Sequence, residues 1–378
     1  MNIPKLRFKD NNGNDYPQWE KKKLEDISTI TMGQSPDSNF INNEEIGIAF
    51  LQGNAEFTNK YPIEKYWCTK PQKTANPTDI LLSVRAPVGA INIANKEFCI
   101  GRGLSAISFN CNKIFGKYNL EYNLFQLIKK SQGSTFSSIN KKDISEIILF
   151  IPSFKEQKKI ANFLSTVDKK IENLENTISS LENQKKGLLQ QIFSQKLRFK
   201  DKNGNNYPNW EKKKIGLICS ISTGKSNTQD KIDNGKYPFY VRSATIERSS
   251  KYLYDEEATL TVGDGVGTGK VFHYVNGKYD LHQRCYRMFN FKNTHAKYFY
   301  YFFSSHFYNR VKRMSAKNSV DSVRMNMISD MIIDLPCLEE QTKIADFLSA
   351  FDHKLENQKA QLEHWQQIKK GLLQQMFV

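Results

Sequence analysis

Two stretches of the chain place apolar residues at alternating steps of four and three positions. The first runs from Glu156 to Phe193, and the second repeats it 184 positions later, from Glu340 to Phe377. Counted from Pro152 and Pro336, 21 of 42 aligned residues are identical. A seam with this period, sustained over about four heptads, is typical of a coiled coil. Each stretch therefore predicts one long helix of about 57 Å, at ~1.5 Å per residue.

The apolar seam of these predicted helices needs a partner that keeps it out of water. The simplest partner is the other copy in the same chain, which predicts an antiparallel pair serving as a spacer. The alternative is that both are ordinary core helices of one domain. Lys185, Gln358 and Lys369 are the polar members of the seam. Its apolar members are Ile160, Leu164, Val167, Ile171, Leu174, Ile178, Leu181, Leu188 and Ile192 in the first helix, and Ile344, Leu348, Phe351, Leu355, Leu362, Trp365, Leu372 and Met376 in the second.

A second repeat precedes each predicted helix. The head segment Leu6–Lys23 recurs 191 positions later as Leu197–Lys214, with 15 of 18 residues the same. The chain thus consists of a head segment, a unique block and a helix, written twice. Such self-similarity predicts two equivalent structural units related by a pseudo-two-fold axis, with the N-terminus near the end of the second helix.

The unique blocks, residues 24–151 and 215–335, contain short apolar or β-branched runs bounded by Gly, Pro and Asn, which predict strands. Tyr118–Lys130 and His295–Met314 carry aromatic residues at helical spacing, which favours a packing helix over a base-stacking surface. Each block is therefore predicted to be a small α+β domain, so the chain has two pseudo-symmetric α+β domains and two long antiparallel coiled-coil helices. The predicted strands that align between the blocks are Ile48–Gln52 with Pro238–Arg242, Asp79–Val84 with Ala258–Val262, and Cys99–Ile107 with Tyr279–Met288, while Ile147–Pro152 and Ile332–Pro336 lead into the helices.

The charge of the chain indicates its class of partner. The net charge is +16 and the pI about 9.3, with 12% aromatic residues. A basic chain of this kind is more often a polyanion binder than a membrane binder, although a Lys-rich proteome is an alternative source of the charge. No apolar run reaches membrane-spanning length and no signal peptide opens the chain, so a cytoplasmic location is expected. The six cysteines are scattered without a Cys-x-x-Cys pair, which predicts reduced thiols and no zinc site.

Motifs for catalysis are incomplete in this sequence. Gly263–Lys270 resembles a phosphate loop, but no glycine stands five residues before Gly269, and Val271 replaces the Ser or Thr that would hold Mg²⁺. Asn76–Asp79 lacks the second proline and the aromatic residue of the amino-methyltransferase tetrapeptide. The sequence also shows no dinucleotide fingerprint, nucleophile triad or metal-ligand spacing. We therefore expect that the chain catalyses no reaction and holds no metal or cofactor of its own.

Polar and basic residues in the predicted loops are the candidates for DNA contact. Lys is expected at phosphates, Arg at guanine edges, and Gln or Asn at adenine edges. The predicted exchange of Gln52 for Arg242 at equivalent positions indicates that the two blocks contact different bases. The candidates are Gln52, Asn54, Lys73, Arg85, Arg102, Ser134, Thr135 and Lys141 in the first block, and Lys225, Arg242, Lys270, Gln283, Arg284, Lys317, Asn318 and Arg324 in the second.

Over its whole length the chain resembles the specificity subunits of type I restriction–modification enzymes. Both helices carry Glu-Gln-x-Lys-Ile-Ala and Lys-Lys-Gly-Leu-Leu-Gln-Gln, both head segments carry Leu-Arg-Phe and Trp-Glu, and residues 81–89 read Leu-Leu-Ser-Val-Arg-Ala-Pro-Val-Gly. The second block departs from that last motif with Gly-Asp-Gly-Val-Gly at 263–267, which leaves Asp264 opposite Arg85 and the role of its loop open.

The resemblance implies a non-catalytic DNA-recognition subunit whose two target-recognition domains, held apart by the helices, contact a split site in double-stranded DNA. It also implies two methyltransferase subunits that use S-adenosylmethionine to methylate adenine, and restriction subunits that use ATP and Mg²⁺. The expected segments are 1–152 (head segment and first target-recognition domain), 153–195 (central spacer helix), 196–336 (repeated head segment and second target-recognition domain) and 337–378 (C-terminal spacer helix).

Two other hypotheses remain at this stage. The chain could be a stand-alone DNA-binding scaffold or repressor without methyltransferase partners, which co-purification would distinguish. It could also be an enzyme in its own right, which would require nuclease or methyl-transfer activity from the isolated chain.

Overall fold

The structure is a computed structural model that describes residues 3–132, 138–265, 267–314 and 322–378, with residues 129–132 described by backbone alone. It divides into two compact units. The first unit comprises Met1–Glu175 and Ala360–Val378, and the second comprises Asn176–Lys359. Each of the two long helices therefore contributes one segment to each unit.

The first unit is an α+β unit built on two larger sheets and one two-stranded sheet. Its strands are β1 (Glu20–Lys23), β2 (Ser28–Met32), β3 (Ile41–Asn42), β4 (Ile48–Leu51), β5 (Tyr66–Cys68), β6 (Thr74–Ala75), β7 (Ile80–Ser83), β8 (Ile91–Ile93), β9 (Phe98–Ile100), β10 (Leu104–Phe109) and β11 (Ile148–Ile151). Its helices are α1 (Leu24–Ile27), α2 (Lys113–Asn123), α3 (Phe125–Gln132), α4 (Lys141–Ser145) and the first part of α5 (Phe154–Phe193). One sheet has the antiparallel order β2-β10-β7-β8, and the other has the order β3-β5-β4-β9-β6, in which β4 and β9 run parallel.

Strand β7 is buried on both of its faces. Ile80 and Leu82 belong to a core that also contains Phe115 of α2. Leu81, between them, belongs to a second core with Phe98 of β9. Because successive side chains of a strand point to opposite faces, a strand covered on both sides has a continuous apolar run. This explains why the sequence of β7 shows no polar alternation.

The second unit has a similar architecture with longer strands, but one six-stranded sheet takes the place of the two larger sheets. Its strands are β12 (Glu211–Lys214), β13 (Ser220–Thr223), β14 (Tyr237–Tyr240), β15 (Ile246–Ser249), β16 (Tyr254–Val262), β17 (Phe272–Leu281), β18 (Cys285–Phe289) and β19 (Ile332–Leu335). Its helices are α6 (Ile215–Ile218), α7 (Ala296–Met314), α8 (Met325–Ser329) and the first part of α9 (Leu338–Met376). The main sheet has the order β13-β18-β16-β17-β14-β15, and the pair β12-β19 corresponds to the pair β1-β11 of the first unit.

The predicted α+β class with two similar domains is confirmed, with three local differences. The predicted helix Tyr118–Lys130 is two helices, α2 and α3, which meet at Leu124. The predicted strand Tyr279–Met288 covers parts of two strands, β17 (Phe272–Leu281) and β18 (Cys285–Phe289). The predicted strand Cys99–Ile107 is likewise two strands, β9 and β10, separated by a turn at residues 101–103. Gly101 and Gly103 lie in this turn, and glycine commonly interrupts a strand where another backbone approaches closely.

The two long helices pack antiparallel within each unit. In the first unit, Met376 of α9 shares a core with Ile160 of α5, and Lys369 Nζ lies 3.1 Å from Asp168 Oδ1. The second unit has the equivalent ion pair with the two helices exchanged. There the lysine is Lys185 of α5 and the aspartate is Asp352 of α9. Two of the polar members of the predicted seam thus form ion pairs across it, and the antiparallel prediction is confirmed.

The ion pair across the seam acts on the pKa of Asp168. Burial alone would raise the pKa of Asp168, but Lys369, the Tyr118 hydroxyl and Lys117 hold that pKa below its ordinary value.

The seam residues are buried to the extent expected of a helix pair that its neighbours cover on part of its surface. The seam residues that are buried are Ile160, Leu164, Val167, Leu174, Ile178, Leu181, Ile192, Ile344, Leu348, Leu355 and Met376, and those that are half-buried are Ile171, Leu188, Phe351, Leu362, Trp365 and Leu372.

A buried carboxylate fixes each head segment to the start of a long helix. Glu156 is 0% exposed and accepts hydrogen bonds from Arg7 Nε (3.0 Å), Arg7 Nη2 (2.8 Å) and Trp19 Nε1 (3.3 Å). The same arrangement is repeated in the second unit around another fully buried glutamate. A buried charge is tolerated when it is paired and its lone pairs are occupied, as these are.

In that second copy Glu340 accepts hydrogen bonds from Arg198 Nε (3.1 Å), Arg198 Nη2 (2.7 Å) and Trp210 Nε1 (3.0 Å). We expect Arg198→Ala to lower the free energy of unfolding by about 3–5 kcal/mol, because it leaves Glu340 as an unpaired buried charge. Urea unfolding followed by circular dichroism measures this loss. Lys22→Ala is the control, since Lys22 and Glu20 are both exposed, and it should cost no more than about 1 kcal/mol. Equal losses in the two variants would contradict the role assigned to the buried pair.

Candidate nucleic-acid interface

Four loops of the first unit meet at one surface, beyond the ends of β2, β4, β7 and β9. Ser35 lies at the centre, because its hydroxyl accepts hydrogen bonds from Gln52 Nε2 (3.0 Å) and from the backbone N–H of Arg102 (3.3 Å). Arg102 and Arg85 are exposed there. We call Ser35, Gln52, Arg85 and Arg102 the first loop cluster.

Main-chain contacts hold these loops close to one another. A Cβ atom added to Gly33 would lie 2.2 Å from the carbonyl oxygen of Gly101, and one added to Gly103 would lie 2.6 Å from that of Gln52. Only glycine allows backbones to approach this closely. The backbone N–H of Val84 donates to the Gly103 carbonyl over 2.9 Å, which brings the segment after β7 to the same turn.

The second unit gathers its polar side chains at the corresponding loops. The backbone N–H of Gly263 donates to the carbonyl of Arg284 (2.8 Å), and Lys225 N donates to the carbonyl of Leu281 (3.1 Å). These bonds bring the segments after β13, β16 and β17 together. The exposed or half-exposed polar residues of this surface form the second loop cluster, which consists of Lys225, Arg242, Asp264, Gln283 and Arg284.

Asp264 lies between the two arginines of the second loop cluster. Its carboxylate oxygens are 3.6 Å from Arg242 Nη1 and 3.7 Å from Arg284 Nε. The side chains of Arg242 and Arg284 remain 50% and 65% exposed, so their donors are open to a ligand.

A buried polar network lies beneath the second loop cluster. Asp280 is 0% exposed and accepts hydrogen bonds from the hydroxyls of Ser226 (2.6 Å) and Ser249 (3.0 Å). The backbone of Ser226 in turn accepts from the N–H of Gln283 over 2.8 Å. The Gln283 side chain donates to Asn227. The network therefore holds the loop that carries Lys225 against the turn that carries Gln283.

The remaining candidates lie around these clusters or beyond the described residues. The Lys73 side chain is exposed, and its backbone lies beside β9, because its carbonyl accepts a hydrogen bond from Ile100 N (2.9 Å). Lys141 is exposed at the start of α4. Asn54 is half-buried two residues after Gln52, and Lys270 lies 5.2 Å from the ring centre of Tyr308. Arg324 is exposed at the start of α8. Four candidates fall outside the described residues, namely Ser134, Thr135, Lys317 and Asn318.

Hydrogen bonds fix which residues of the two units are equivalent. In the first unit Gly101 N donates to the Leu51 carbonyl (2.8 Å), and in the second His282 N donates to the Tyr240 carbonyl (3.0 Å). Both bonds extend parallel ladders, β4 with β9 and β14 with β17, in the same register. Leu51 therefore corresponds to Tyr240, one residue away from the alignment predicted from the sequence.

This alignment of the two units contradicts one predicted pair of equivalent residues and confirms another. Gln52 corresponds to Val241, and Arg242 corresponds to Gly53, so the predicted pairing of Gln52 with Arg242 is wrong. Asp264 does lie opposite Arg85, because both form an isolated β-bridge to the equivalent serine, Ser322 and Ser138 respectively.

Ser35 and Asp264 were not among the residues predicted to contact DNA. The signal that could have identified Ser35 is a continuation of the repeat, because Gly33-Gln34-Ser35 and Gly224-Lys225-Ser226 both follow the first strand of the unique block at an offset of 191. Both glycines also make the same close approach, since a Cβ atom on Gly224 would lie 2.2 Å from the Leu281 carbonyl oxygen.

His282 is a buried titratable group at the base of the second loop cluster. Burial lowers its pKa below the ordinary 6.5, Arg242 and Arg284 lower it further, and Asp264 and Asp230 act in the opposite direction. Its Nδ1 accepts a hydrogen bond from the backbone N–H of Arg284 over 3.0 Å, which requires that nitrogen to be unprotonated. The neutral imidazole is therefore part of the turn.

We expect His282 to make the protein less stable in mild acid. Below about pH 6.5 the unfolded chain binds a proton at this residue that the folded chain resists, so the free energy of unfolding falls as the pH decreases. His282→Asn, which keeps an acceptor without the titration, should reduce the difference between urea unfolding at pH 7.5 and pH 5.5. His353→Asn, at an exposed position, should leave that difference unchanged. An unaltered pH dependence in His282→Asn would contradict the assignment.

The part of the chain that the structure describes contains no cluster of His, Cys, Asp or Glu able to hold a metal ion. None of the helices described is both long enough and apolar enough to cross a membrane.

Comparison with solved structures supports the fold. The S subunit of a type I restriction–modification system from M. genitalium superposes with a TM-score of 0.68, at 17% identity, over 100% of this chain and 99% of that chain. A chain from a study of complex assembly and conformational transition in the type I R-M system gives a TM-score of 0.57, at 15% identity, over 95% and 97%. At these identities the likeness concerns the fold alone.

Sequence comparison extends to the family. The chain is 40% identical over 199 residues to the putative type I restriction enzyme MjaX specificity subunit of Methanocaldococcus jannaschii, and that match spans 51% of this chain and about half (47%) of the relative. It is 24% identical over 402 residues to the MjaVIII specificity subunit of the same organism, over 97% of this chain and 94% of the relative. The family profile described as type I restriction modification DNA specificity domain matches residues 16–183 and 207–364. The chain therefore belongs to the family of type I restriction–modification specificity subunits.

Proposed function

We propose that this chain is the DNA-recognition subunit of a type I restriction–modification complex and that its two loop clusters contact two different parts of one DNA site. The observation that carries this proposal is the pair of loop clusters, which share a main-chain frame but present different side chains. The same frame with different polar groups is what two different base sequences require.

The charge of the chain supports DNA as the ligand. A net charge of +16 attracts a polyanion without regard to sequence. The exposed arginines of the clusters add the side chain best suited to guanine edges. Lysines at the margins of the clusters, such as Lys73 and Lys141, suit phosphate contacts, which orient a protein on DNA without selecting a sequence.

We further propose that the chain recognises DNA without catalysing a reaction. In this proposal two methyltransferase subunits bind S-adenosylmethionine and methylate adenine, and restriction subunits use ATP and Mg²⁺. The fold neighbour from a study of complex assembly in the type I R-M system supports partners of this kind. The paired helices α5 and α9 are proposed to serve as the spacer and as the docking surface for these partners.

Co-expression with the methyltransferase subunit of the same system tests the partner proposal. We expect a stable complex that binds S-adenosylmethionine and methylates adenine only when this chain is present. If the chain binds specific DNA but never associates with the methyltransferase subunit, it is a stand-alone DNA-binding scaffold instead.

Single substitutions test whether each loop cluster contacts its own part of the site. We expect Arg102→Ala and Arg284→Ala each to weaken binding of the specific duplex by about 1–3 kcal/mol and to relax base preference at different positions of the site. Methylome sequencing of cells that carry each variant complex would locate the relaxed positions. Relaxation of the same positions by both variants would contradict the division of the site between the clusters.

Lys141→Ala is the control for a phosphate contact. It should weaken binding to specific and unrelated duplexes alike, and it should lower the dependence of binding on salt by about one ion. A change in base preference at any one position would show that Lys141 contacts a base instead.

A further inference from the structure

We propose that Asp264 is a specificity-determining residue that holds Arg242 and Arg284 as a pair of guanine-contacting side chains. This inference rests on the proposed function, because it takes the second loop cluster to face DNA. It assigns a role to the loop whose sequence departs from the motif of the first unit.

The distances leave the arginines free to bind a ligand. At 3.6 Å and 3.7 Å, the contacts of Arg242 and Arg284 with Asp264 are ion pairs that are too long for hydrogen bonds. Each guanidinium group has five N–H donors in a planar fork, so one edge can face the carboxylate while another faces outward. Ion pairs between groups this exposed add little to stability, so stability does not explain why the three side chains lie together.

The backbone of Asp264 is held in place by main-chain contacts, which limits where its short side chain can reach. Asp264 forms a β-bridge to Ser322, and the flanking Gly263 both donates to the Arg284 carbonyl (2.8 Å) and accepts from Val323 N (2.7 Å). Asp has fewer side-chain torsions than Arg, so the carboxylate moves over a shorter range than either guanidinium group. Alignment between them therefore comes mainly from movement of the longer arginine side chains.

One oxygen of Asp264 lacks a hydrogen-bond donor. Oδ1 is buried, and no hydrogen bond to it is made by the residues that the structure describes. A buried acceptor without a donor is costly, and its nearest cation is Arg242, at 3.6 Å. A small movement of Arg242 would satisfy this oxygen and would also fix the plane of the guanidinium group. A fixed plane is what bidentate binding to guanine O6 and N7 requires.

The first unit provides an internal comparison for this arrangement. Asp264 corresponds to Arg85, Arg242 to Gly53, and the turn residue Arg284 to Gly103, by the register that the hydrogen bonds define. The first unit thus has one central arginine flanked by glycines, and the second has a central carboxylate flanked by arginines. The net charge of the three positions is +1 in both units, so attraction for DNA is retained while the donors are rearranged.

Binding by the complex with its methyltransferase partner tests the inference. Affinity would be measured for the specific duplex, for duplexes substituted at each base pair, and for an unrelated duplex. We expect Asp264→Asn to lower the ratio of specific to unrelated binding about tenfold, by relaxing the same base positions as Arg242→Ala and Arg284→Ala. Binding to the unrelated duplex should tighten, because a negative charge is removed from the DNA-facing surface.

A combined variant separates action through the arginines from direct contact. If Asp264 acts through Arg242 and Arg284, adding Asp264→Asn to the variant that combines Arg242→Ala with Arg284→Ala should cause no further loss of base preference. Additive losses at different base positions would mean that the carboxylate itself contacts a base, and would overturn the inference. Equal weakening of specific and unrelated binding together with a lower melting temperature would also overturn it, because that result indicates a structural role.

Asp255→Asn is the matched control, since it removes an exposed carboxylate from the beginning of the same strand, β16, at the end away from the loop cluster. It should leave base preference unchanged. A wild-type complex that prefers no duplex over any other would contradict the proposed function itself, and this outcome is distinct from a failure confined to the Asp264 variants.

Discussion

Each unit depends on one buried carboxylate that is neutralised by a guanidinium group and also accepts a hydrogen bond from an indole. Glu156 and Glu340 have no exposed surface, so their desolvation is offset only if Arg and Trp of the head segment reach them. The head segment, the strand that leads into the helix and the first helical turn must therefore come together in one arrangement. The strands and loops of the unit are built outward from that point.

The repeat and the long helices could be predicted from the sequence because their signals extend over many residues. A seam of four heptads averages over single polar positions such as Lys185, and this lysine proves to be an ion-pair partner of Asp352. The equivalence of Asp264 in the second unit with Arg85 in the first was also predictable, since glycines and the preceding strand anchor the sequence alignment there. The residue-by-residue alignment of β4 with its equivalent strand β14 was not predictable. Three of the four β4 residues are buried, so this short strand shows no alternation that could fix it.

The loop clusters were only partly predictable, because contacts between residues distant in sequence create them. Gln52 and Ser35 are joined by a hydrogen bond across 17 positions, and neither residue alone indicates the other. The turn at 101–103 contains two glycines, but the equivalent turn of the second unit contains none, which concealed their common role. Charge at a candidate interface could be inferred from composition, whereas the neighbours of each charge required the fold.

The close approach of backbones at Gly33 and Gly224 has a consequence for how such proteins change over time. Main-chain hydrogen bonds and glycine contacts carry the loops, so the outward side chains have little share in folding. Substitutions among them are filtered by the ligand rather than by the fold. A scaffold of this kind can acquire a new recognition sequence through a few point mutations, and the variant produced at each step still folds.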